Sequence, residues 1–467
     1  MRRLIPILFF STALLLPTAC GGGGGGDAAA SGGKASCPIG ALDHAKGPVT
    51  VKVWHWFAGL PNATVEQQAK AFNASQDKVK VVVQGQGDPN AMQAKIDAGA
   101  VDHDLPGMVT LDVDKLQWAK DSGLFDPAQA CIDARPEVRR SYADLLPYVK
   151  HTQEVDGDLY PVSFSIFTSV LYFNRAHFRA AGLDPDVAPK TWAELEQVAR
   201  KIKAAKPDVK PLAFITQPWL TELLLTGAHA PVVDHRNGRD GRATKATFSS
   251  PKAIELLKVL QRMKEEGLAD IIPGSPGQAD HILAMAQQQS SMTIESSAAS
   301  STIAGVIEGT VDAKRLKEEL GVDMPAGAAN LKLDLDLGVA AAPGIDGPGS
   351  GQVAGAAWYI PNTNSRAVQA GAWAFVQFMN RPANQAAWVS EGSVTPAFGS
   401  VAQLPAVTRA WSSTLAGRWQ KTAFDLVVAG DDPAFPGPLI GPYTEARSAL
   451  RGALDSSLLD GTDPAKA

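Results

Sequence analysis

The stretch "VTVKVWHWFAGLPNATVEQQAKAFNASQDKVKVVVQ", residues 49–84, contains two strand patterns with a helix pattern between them. Residues 49–56 alternate apolar and polar side chains and are rich in valine, which predicts a strand. Residues 62–74 predict a helix, and residues 79–84 predict a second strand. A strand, a helix and another strand in succession are typical of a parallel sheet covered by helices. The stretch therefore predicts an α/β fold.

The same patterns continue along the chain. A capping box at Thr191–Glu194 opens one helix, and the Ser250-Pro251 pair opens another. Asp156-Gly157 predicts the turn of a hairpin. Further strands are predicted at 107–111, 169–174, 291–294, 336–343 and 355–361, and further helices at 89–98, 113–121, 191–205, 251–266, 297–308, 364–380, 383–391, 405–415 and 443–454.

The N-terminus has the pattern of an export signal. Two arginines precede an apolar run that is too short for a membrane span of about 20 residues. The run ends at Cys20 and resembles the lipobox of bacterial lipoproteins, although Pro17 stands where a leucine is usual. We therefore expect a signal peptide at 1–19, acylation of Cys20, and a Gly-rich tether at 20–36 that holds the protein at the outer face of the cell membrane. The alternative is ordinary cleavage and free secretion.

Composition limits the remaining possibilities. About 430 residues follow the tether, more than one simple core accommodates, so two lobes are expected. The net charge of −5 does not indicate the excess of basic residues that is typical of nucleic-acid-binding proteins. With Cys20 acylated, Cys37 and Cys131 form an even pair in an oxidising compartment, which predicts a disulfide between them. Two buried free thiols are the alternative.

Catalytic motifs are absent from the sequence. It contains no GxSxG, HExxH or P-loop pattern, and no GxGxxG after a strand. Asp112 and Asp114 are two carboxylates at a strand end, but no third group nearby in sequence orients them as an acid–base pair. We therefore predict no catalytic residues, no metal site and no cofactor.

Aromatic and polar residues follow several predicted strands. Ligands of open α/β sheets bind beyond the carboxyl ends of parallel strands. Indole faces stack on the C–H faces of sugars and polyols, carboxylates and hydroxyls bond to their hydroxyl groups, and indole also attracts quaternary ammonium groups. The candidates at strand ends are Trp56, Phe57, Asp112, Asp114, Ser163, Ser165, Trp219, Glu295 and Ser296.

Four stretches carry a family resemblance: "VWHWFAG" with "AKAFNAS", "SVLYFNRAHFRAAGLDPDVAPKTWAELEQVARKIKA" (169–204), "SMTIESSAA" (291–299), and residues 353–398 from "VAGAAWYIPNTN" to "VTPAF". In these stretches the chain resembles the extracellular solute-binding lipoproteins of ABC importers. Within that family it is most similar to the large sugar-binding type related to maltose-binding protein, and there to binders of glycerol-3-phosphate and glycerophosphodiesters. The resemblance covers nearly all of residues 48–450.

The resemblance implies two α/β lobes that are joined by crossover strands and close on a ligand between them. It places the first lobe at 37–160 and 344–382, and the second at 161–343 and 383–467. It implies ligand contacts from the strand-end candidates and from the turn at Gly355 and Ala356. Tyr443, which opens the last predicted helix, completes the predicted set.

The sequence departs from the family at the expected phosphate site. Glycerol-phosphate binders carry an arginine in a Gly-rich loop near the C-terminus, and the matching stretch here, 435–443, has none. A Gly-Tyr-Leu-Pro turn of the family is Gly392–Pro396 here, without its tyrosine. A phosphate would lose a bidentate partner. These departures favour a neutral sugar, oligosaccharide or polyol, with glycerol-3-phosphate or a glycerophosphodiester such as glycerophosphocholine as the alternative.

The resemblance implies that the chain is the binding receptor of an ABC importer rather than an enzyme. Its expected partners are the small-molecule ligand and the transmembrane permease subunits, with contact to the membrane only through the lipid anchor. A monomer is expected. A solute sensor that feeds a kinase, and a secreted hydrolase, are the other possible classes.

Overall fold

The computed structural model describes residues 36–274, 279–320, 332–430, 432, 435 and 437–467. The signal peptide, Cys20 and most of the tether lie outside these residues and stay predictions. Within the described residues the strands are β1 (Val49–His55), β2 (Val79–Gly85), β3 (Met108–Asp112), β4 (Glu154–Val155), β5 (Asp158–Leu159), β6 (Val162–Ser163), β7 (Ser165–Ile166), β8 (Ser169–Asn174), β9 (Leu212–Ile215), β10 (Ala269–Ile272), β11 (Met292–Ser296), β12 (Leu337–Ala341), β13 (Ala356–Tyr359) and β14 (Thr395–Pro396).

The helices connect and cover these strands. They are α1 (Gly59–Ser75), α2 (Pro89–Asp102), α3 (Leu116–Asp121), α4 (Gln129–Asp133), α5 (Pro136–Tyr142), α6 (Pro147–Gln153), α7 (Arg175–Ala180), α8 (Trp192–Ala205), α9 (Pro218–Gly227), α10 (Asp234–Gly238), α11 (Pro251–Glu265), α12 (Asp280–Ala286), α13 (Ser300–Glu308), α14 (Ala313–Leu320), α15 (Arg366–Met379), α16 (Pro382–Ser390), α17 (Pro405–Ser413), α18 (Leu415–Ala429) and α19 (Tyr443–Leu454). None of the helices in the described ranges is both long and apolar enough to cross a membrane.

Two five-stranded sheets form the centres of two lobes, as the sequence predicts. The first has the order β2-β1-β3-β13-β6 and the second the order β10-β9-β11-β8-β12. In each sheet three neighbouring strands are parallel and the next strand, β13 or β8, runs antiparallel to them. The sheets are therefore mixed, whereas strand–helix alternation alone predicts parallel ones. The antiparallel strand in each sheet arrives from the other lobe.

Local signals in the sequence explain where two of the helices begin. The hydroxyl of Thr191 accepts a hydrogen bond from the backbone N–H of Glu194 at 3.1 Å, and α8 begins one residue later. The hydroxyl of Ser250 accepts from the N–H of Ala253 at 3.4 Å and caps α11. Each hydroxyl satisfies one of the N–H groups that a helix end leaves without a partner.

The chain crosses between the lobes in two adjacent segments before residue 360, and it crosses again within the C-terminal helices. The first runs from β6 through β7 to β8, and the second from β12 to β13. Phe167 and Ala354 join the two segments in an antiparallel bridge, with mutual N–H to carbonyl distances of 2.9 Å. The segments place Ser165 and Gly355 between the lobes. Gly355 has φ of +134° and its Cβ position lies 3.0 Å from the carbonyl oxygen of Ser165, so a larger residue is strained there.

The packing after residue 382 differs from the predicted lobe boundary. Trp388 of α16 and Trp411 of α17 belong to the hydrophobic core around the first sheet. Trp419 of α18 packs with Tyr172 of the second sheet, with ring centroids 5.7 Å apart. Leu450 of α19 lies in the main core of the second lobe. Residues 383–467 therefore divide between both lobes, because α16 and α17 bury their apolar faces on the first.

The predicted disulfide is present. Cys37 and Cys131 are bonded across 94 residues of sequence, with their Cα atoms 4.7 Å apart. The bond fixes the segment before β1 to α4 of the first lobe. Cross-linking a long loop stabilises a protein mainly by restricting its unfolded chain.

We expect the variant Cys131→Ser, in a Cys20→Ala background, to lose about 2–4 kcal/mol of unfolding free energy because the closed loop is long. Denaturant unfolding without reductant measures the change. The double variant Cys37→Ser/Cys131→Ser is the control and should lose no more than the single one. An unchanged midpoint in the single variant would contradict a structural bond.

Candidate functional site

A cavity of about 740 Å³ lies between the two sheets. Its walls come from both lobes and from the two crossing segments. Small-molecule sites occupy clefts of about 300–1,000 Å³, so its size suits a small ligand. The structure brings nine predicted residues to this cavity, namely Trp56, Phe57, Asp112, Asp114, Ser165, Trp219, Gly355, Ala356 and Tyr443.

Strand ends place the first-lobe residues on the cavity wall. Trp56 and Phe57 follow β1, and Asp112 is the last residue of β3. The backbone N–H of Phe57 donates to Nδ1 of His55 at 3.1 Å. Burial lowers the pKa of His55 to about 4, so its imidazole is neutral at pH 7 and can accept this bond. The bond fixes the turn that carries both aromatic side chains.

The aromatic wall of the first lobe is held by ring contacts behind it. The ring of Phe57 lies 5.5 Å from that of Trp56, 5.7 Å from Trp358 and 6.0 Å from Trp388. The last two contacts are edge-on, which the ring quadrupoles favour. On the second lobe, Trp219 packs edge-on against Phe167 of the crossing segment at 6.2 Å. Partly exposed aromatic faces therefore line the cavity from both lobes.

Asp112 presents a carboxyl group to the cavity. In the part of the chain that the structure describes, no hydrogen bond or ion pair joins its side chain to another residue, and its oxygens are not sealed from the cavity. Burial, and then the nearby charge of Asp114, raise the pKa of Asp112 to about 7. Such a carboxyl group is open to hydrogen bonds from a ligand.

An ionic cluster joins the two lobes at the cavity wall. Nη1 of Arg447 lies 2.5 Å from Oδ2 of Asp114, and Nη2 lies 3.1 Å from Oε2 of Glu222. The hydroxyl of Tyr443 donates to the same Glu222 oxygen at 2.6 Å. Burial alone would lower the pKa of Arg447, but the two carboxylates raise it well above its usual value. Asp114 follows β3, while Arg447 and Glu222 lie on α19 and α9, so the guanidinium bridges the lobes.

A second arginine closes one side of the cavity. Arg239 donates from Nη1 and Nη2 to the carbonyl oxygens of His151, Thr152 and Glu154 at the end of α6, at 3.0–3.3 Å. It also donates to the carbonyl of Gly437 at 2.7 Å. Burial lowers its pKa to about 10, which still leaves it charged at pH 7. Its donors cap a helix end in the other lobe rather than facing the cavity.

Three predicted contacts do not lie on the cavity wall. The hydroxyl of Ser163 donates to Oε1 of Gln153 and is fully buried. Glu295 pairs with the buried His281 at 2.6 Å. The hydroxyl of Ser296 accepts from the N–H of Ala298 at 3.0 Å. These three side chains form hydrogen bonds or ion pairs within the protein and do not line the cavity.

Sequence reasoning missed the cations of the cavity. Residues 435–443 contain no arginine, but Arg239, Arg447 and Arg451 reach the cavity wall from other segments. The argument for a neutral ligand therefore does not hold for the cavity as a whole. A signal was present, because Tyr443, Arg447 and Arg451 are spaced four apart and share one face of a predicted helix.

The residues on the wall do not form a metal centre. Within the described ranges, no group of three or more histidine, cysteine or acidic side chains is placed to hold a metal ion. Asp114 is engaged by Arg447, so Asp112 and Asp114 are not two free carboxylates. The described wall combines aromatic faces, the carboxyl group of Asp112 and several cations.

The sequence of this chain is similar to those of known proteins. Residues 67–414 match the family of bacterial extracellular solute-binding proteins. The sn-glycerol-3-phosphate-binding periplasmic protein UgpB of Brucella abortus is 27% identical over 220 residues, 46% of this chain and 50% of that protein. This chain thus spans about half the length of that curated relative.

Solved structures share the fold. The cyclic alpha-maltosyl-1,6-maltose binding protein from Arthrobacter globiformis superposes with a TM-score of 0.68 at 18% identity, covering 90% of this chain and 96% of that one. The structure of UgpB from Mycobacterium tuberculosis in complex with glycerophosphocholine superposes with a TM-score of 0.65 at 18% identity, covering 90% of this chain and 95% of that one. At these identities the likeness concerns the fold, and it confirms the expected two-lobed α/β architecture.

The raised pKa of Asp112 predicts a pH-dependent stability difference. The native carboxyl group keeps its proton up to about pH 7, whereas the unfolded chain loses it near 3.8. The native state therefore binds more protons between these values, and the wild type loses stability as pH rises through them. We expect the unfolding free energy of Asp112→Asn, relative to that of the wild type, to rise by about 2–4 kcal/mol between pH 4 and pH 8.

Denaturant unfolding at several pH values measures this difference. Asp77→Asn, at an exposed aspartate, controls for the loss of one charge. If plots of unfolding free energy against pH for Asp112→Asn and the wild type run parallel from pH 4 to pH 8, the predicted raised pKa of Asp112 is wrong.

Proposed function

Because the chain belongs to the family of bacterial extracellular solute-binding proteins, we propose that it is the substrate-binding receptor of an ABC importer. Its ligand is a sugar, oligosaccharide or polyol, held in the cavity between the lobes. The observation that carries this proposal is that aromatic faces from both lobes and the carboxyl group of Asp112 line one cavity.

Each wall of the cavity has a role in this proposal. Trp56 and Phe57 of the first lobe, and Trp219 of the second, stack on the C–H faces of the ligand. Asp112 accepts hydrogen bonds from hydroxyl groups, and Ser165 offers a hydroxyl from the crossing segment. A ligand that contacts both lobes stabilises their closed arrangement relative to an open one. The bound ligand would thereby determine the conformation that a permease recognises.

The receptor role includes a lipid anchor at Cys20, which lies outside the described residues, and transmembrane permease subunits as partners. Binding without chemistry is part of the proposal. Ligand recovered after prolonged incubation with the protein should be unchanged in mass, whereas turnover would identify a hydrolase. Glycerol-3-phosphate or a glycerophosphodiester is the second candidate ligand class, and the cation Arg451 on the cavity wall favours it.

A thermal-shift panel tests the proposal, with neutral sugars, polyols, glycerol-3-phosphate and glycerophosphocholine as ligands. A ligand at 100 times its Kd adds about 2.7 kcal/mol of stability, which is a readable shift. No stabilisation by any member of the panel would contradict the proposed ligand classes.

We expect Trp219→Ala to weaken binding of the stabilising ligand by about 30-fold or more, because it removes the aromatic face of the second lobe. Titration calorimetry measures the affinity. Trp118→Ala is a matched control, since Trp118 is also partly exposed but packs on Phe125 away from the cavity. Equal affinity in the wild type and Trp219→Ala would remove Trp219 from the site.

A further inference from the structure

Arg451 carries a positive charge on the cavity wall, and no acidic side chain among the described residues pairs with it. Its Nη2 donates to Oε1 of Gln217 at 3.2 Å, and Gln217 is neutral. Among the described residues, none of the carboxylates lies within 4 Å of its guanidinium. The carboxylate one turn further along the chain, Asp455, accepts instead from the hydroxyl of Thr216 at 2.9 Å.

The neighbouring cations of the cavity are engaged in other ways. Arg447 is neutralised by Asp114 and Glu222. Arg239 donates to backbone carbonyls at the far end of α6. Lys115 donates to the hydroxyl of Thr444 at 3.1 Å and lies over the ring of Tyr443. Arg451 therefore differs from the other two arginines of the wall, because its guanidinium has five N–H donors and, among the described residues, it bonds to Gln217 alone.

The surroundings of Arg451 suit an anion. Helix α9 begins at Pro218, next to the Gln217 that Arg451 contacts, and the side chain of Gln217 makes no capping hydrogen bond to the first turn. The N–H groups of a first turn and the helix dipole favour negative charge. Ser448, on the same helix as Arg451, adds a hydroxyl to the wall. Guanidinium, hydroxyl and helix start thus lie on the second-lobe side of the cavity, facing the side of Asp112.

We propose that Arg451 and the first turn of α9 form an oxyanion subsite, so that the ligand is a sugar or polyol that bears a carboxylate or a phosphate group. This inference rests on the proposed function, because it assigns the ligand to the same cavity. The aromatic walls hold the carbon skeleton, and Arg451 pairs with the acidic group. Bonds between a guanidinium and an oxyanion are stronger than those between neutral groups, and a planar fork can make two of them.

Matched ligand pairs test the subsite by titration calorimetry on the exported chain with Cys20→Ala. The pairs are glycerol with glycerol-3-phosphate, and glucose with glucose 6-phosphate and with glucuronate. Phosphate-bearing and carboxylate-bearing probes distinguish the two sources of negative charge. Inorganic phosphate, compared with chloride at equal ionic strength, probes the subsite without a carbon skeleton.

We expect at least one acidic probe to bind about tenfold or more tightly than its neutral parent, and we expect Arg451→Gln to abolish that preference. Arg451→Lys should retain part of this preference, because the positive charge remains while the planar guanidinium, which can make two parallel hydrogen bonds, is lost. The control Arg418→Gln makes the same charge change at an exposed site and should leave the preference intact. Raised salt should weaken the acidic probes more than the neutral ones.

The outcomes separate the subsite from the proposed function. If neutral sugars bind and acidic probes bind no better, the subsite is wrong and the receptor role stands. If no sugar or polyol binds but inorganic phosphate stabilises the wild type and not Arg451→Gln, the subsite stands and the ligand class of the proposed function fails. If Arg451→Gln weakens neutral and acidic probes equally, or no probe shows an effect that depends on Arg451, the subsite is overturned.

Discussion

The arrangement of the cavity depends on one partly buried guanidinium. Arg447 lies between Asp114 of the first lobe and Glu222 of the second. Removing a charge from water is unfavourable unless partners compensate it, so these three groups must stay together while the lobes are closed. Because Asp114 is engaged in this way, Asp112 is the carboxylate left for a ligand. The aromatic walls from the two lobes then line one cavity.

Much of the fold was predictable from local pattern. The strand at 169–174 and the helix at 443–454 were predicted with the bounds that the structure has, since alternation and amphipathic spacing depend on neighbouring residues. The strand ends correctly indicated Trp56, Phe57 and Asp112 for the cavity wall. Ser163 and Glu295 do not lie on the cavity wall, because Gln153 and His281 bind these side chains, and no local rule identifies such partners.

The C-terminal helices show the same limit on a larger scale. Their apolar faces were visible in the sequence, but which lobe each face covers is decided by tertiary packing. Arginines on an amphipathic helix usually belong to its solvated face. Arg447 and Arg451 lie instead on a cavity wall, because α19 packs at the junction of the lobes. The charge of the site was therefore the property least accessible to sequence reasoning.

The disulfide has a mechanical consequence. A pull on the chain ahead of Cys37 passes through the bond to Cys131 and enters the first lobe at α4. The load bypasses residues 38–48 and β1, so it does not peel that strand away from β2 and β3. Tension applied to the chain ahead of Cys37 would therefore be borne by a covalent bond rather than by the hydrogen bonds between β1 and its neighbours.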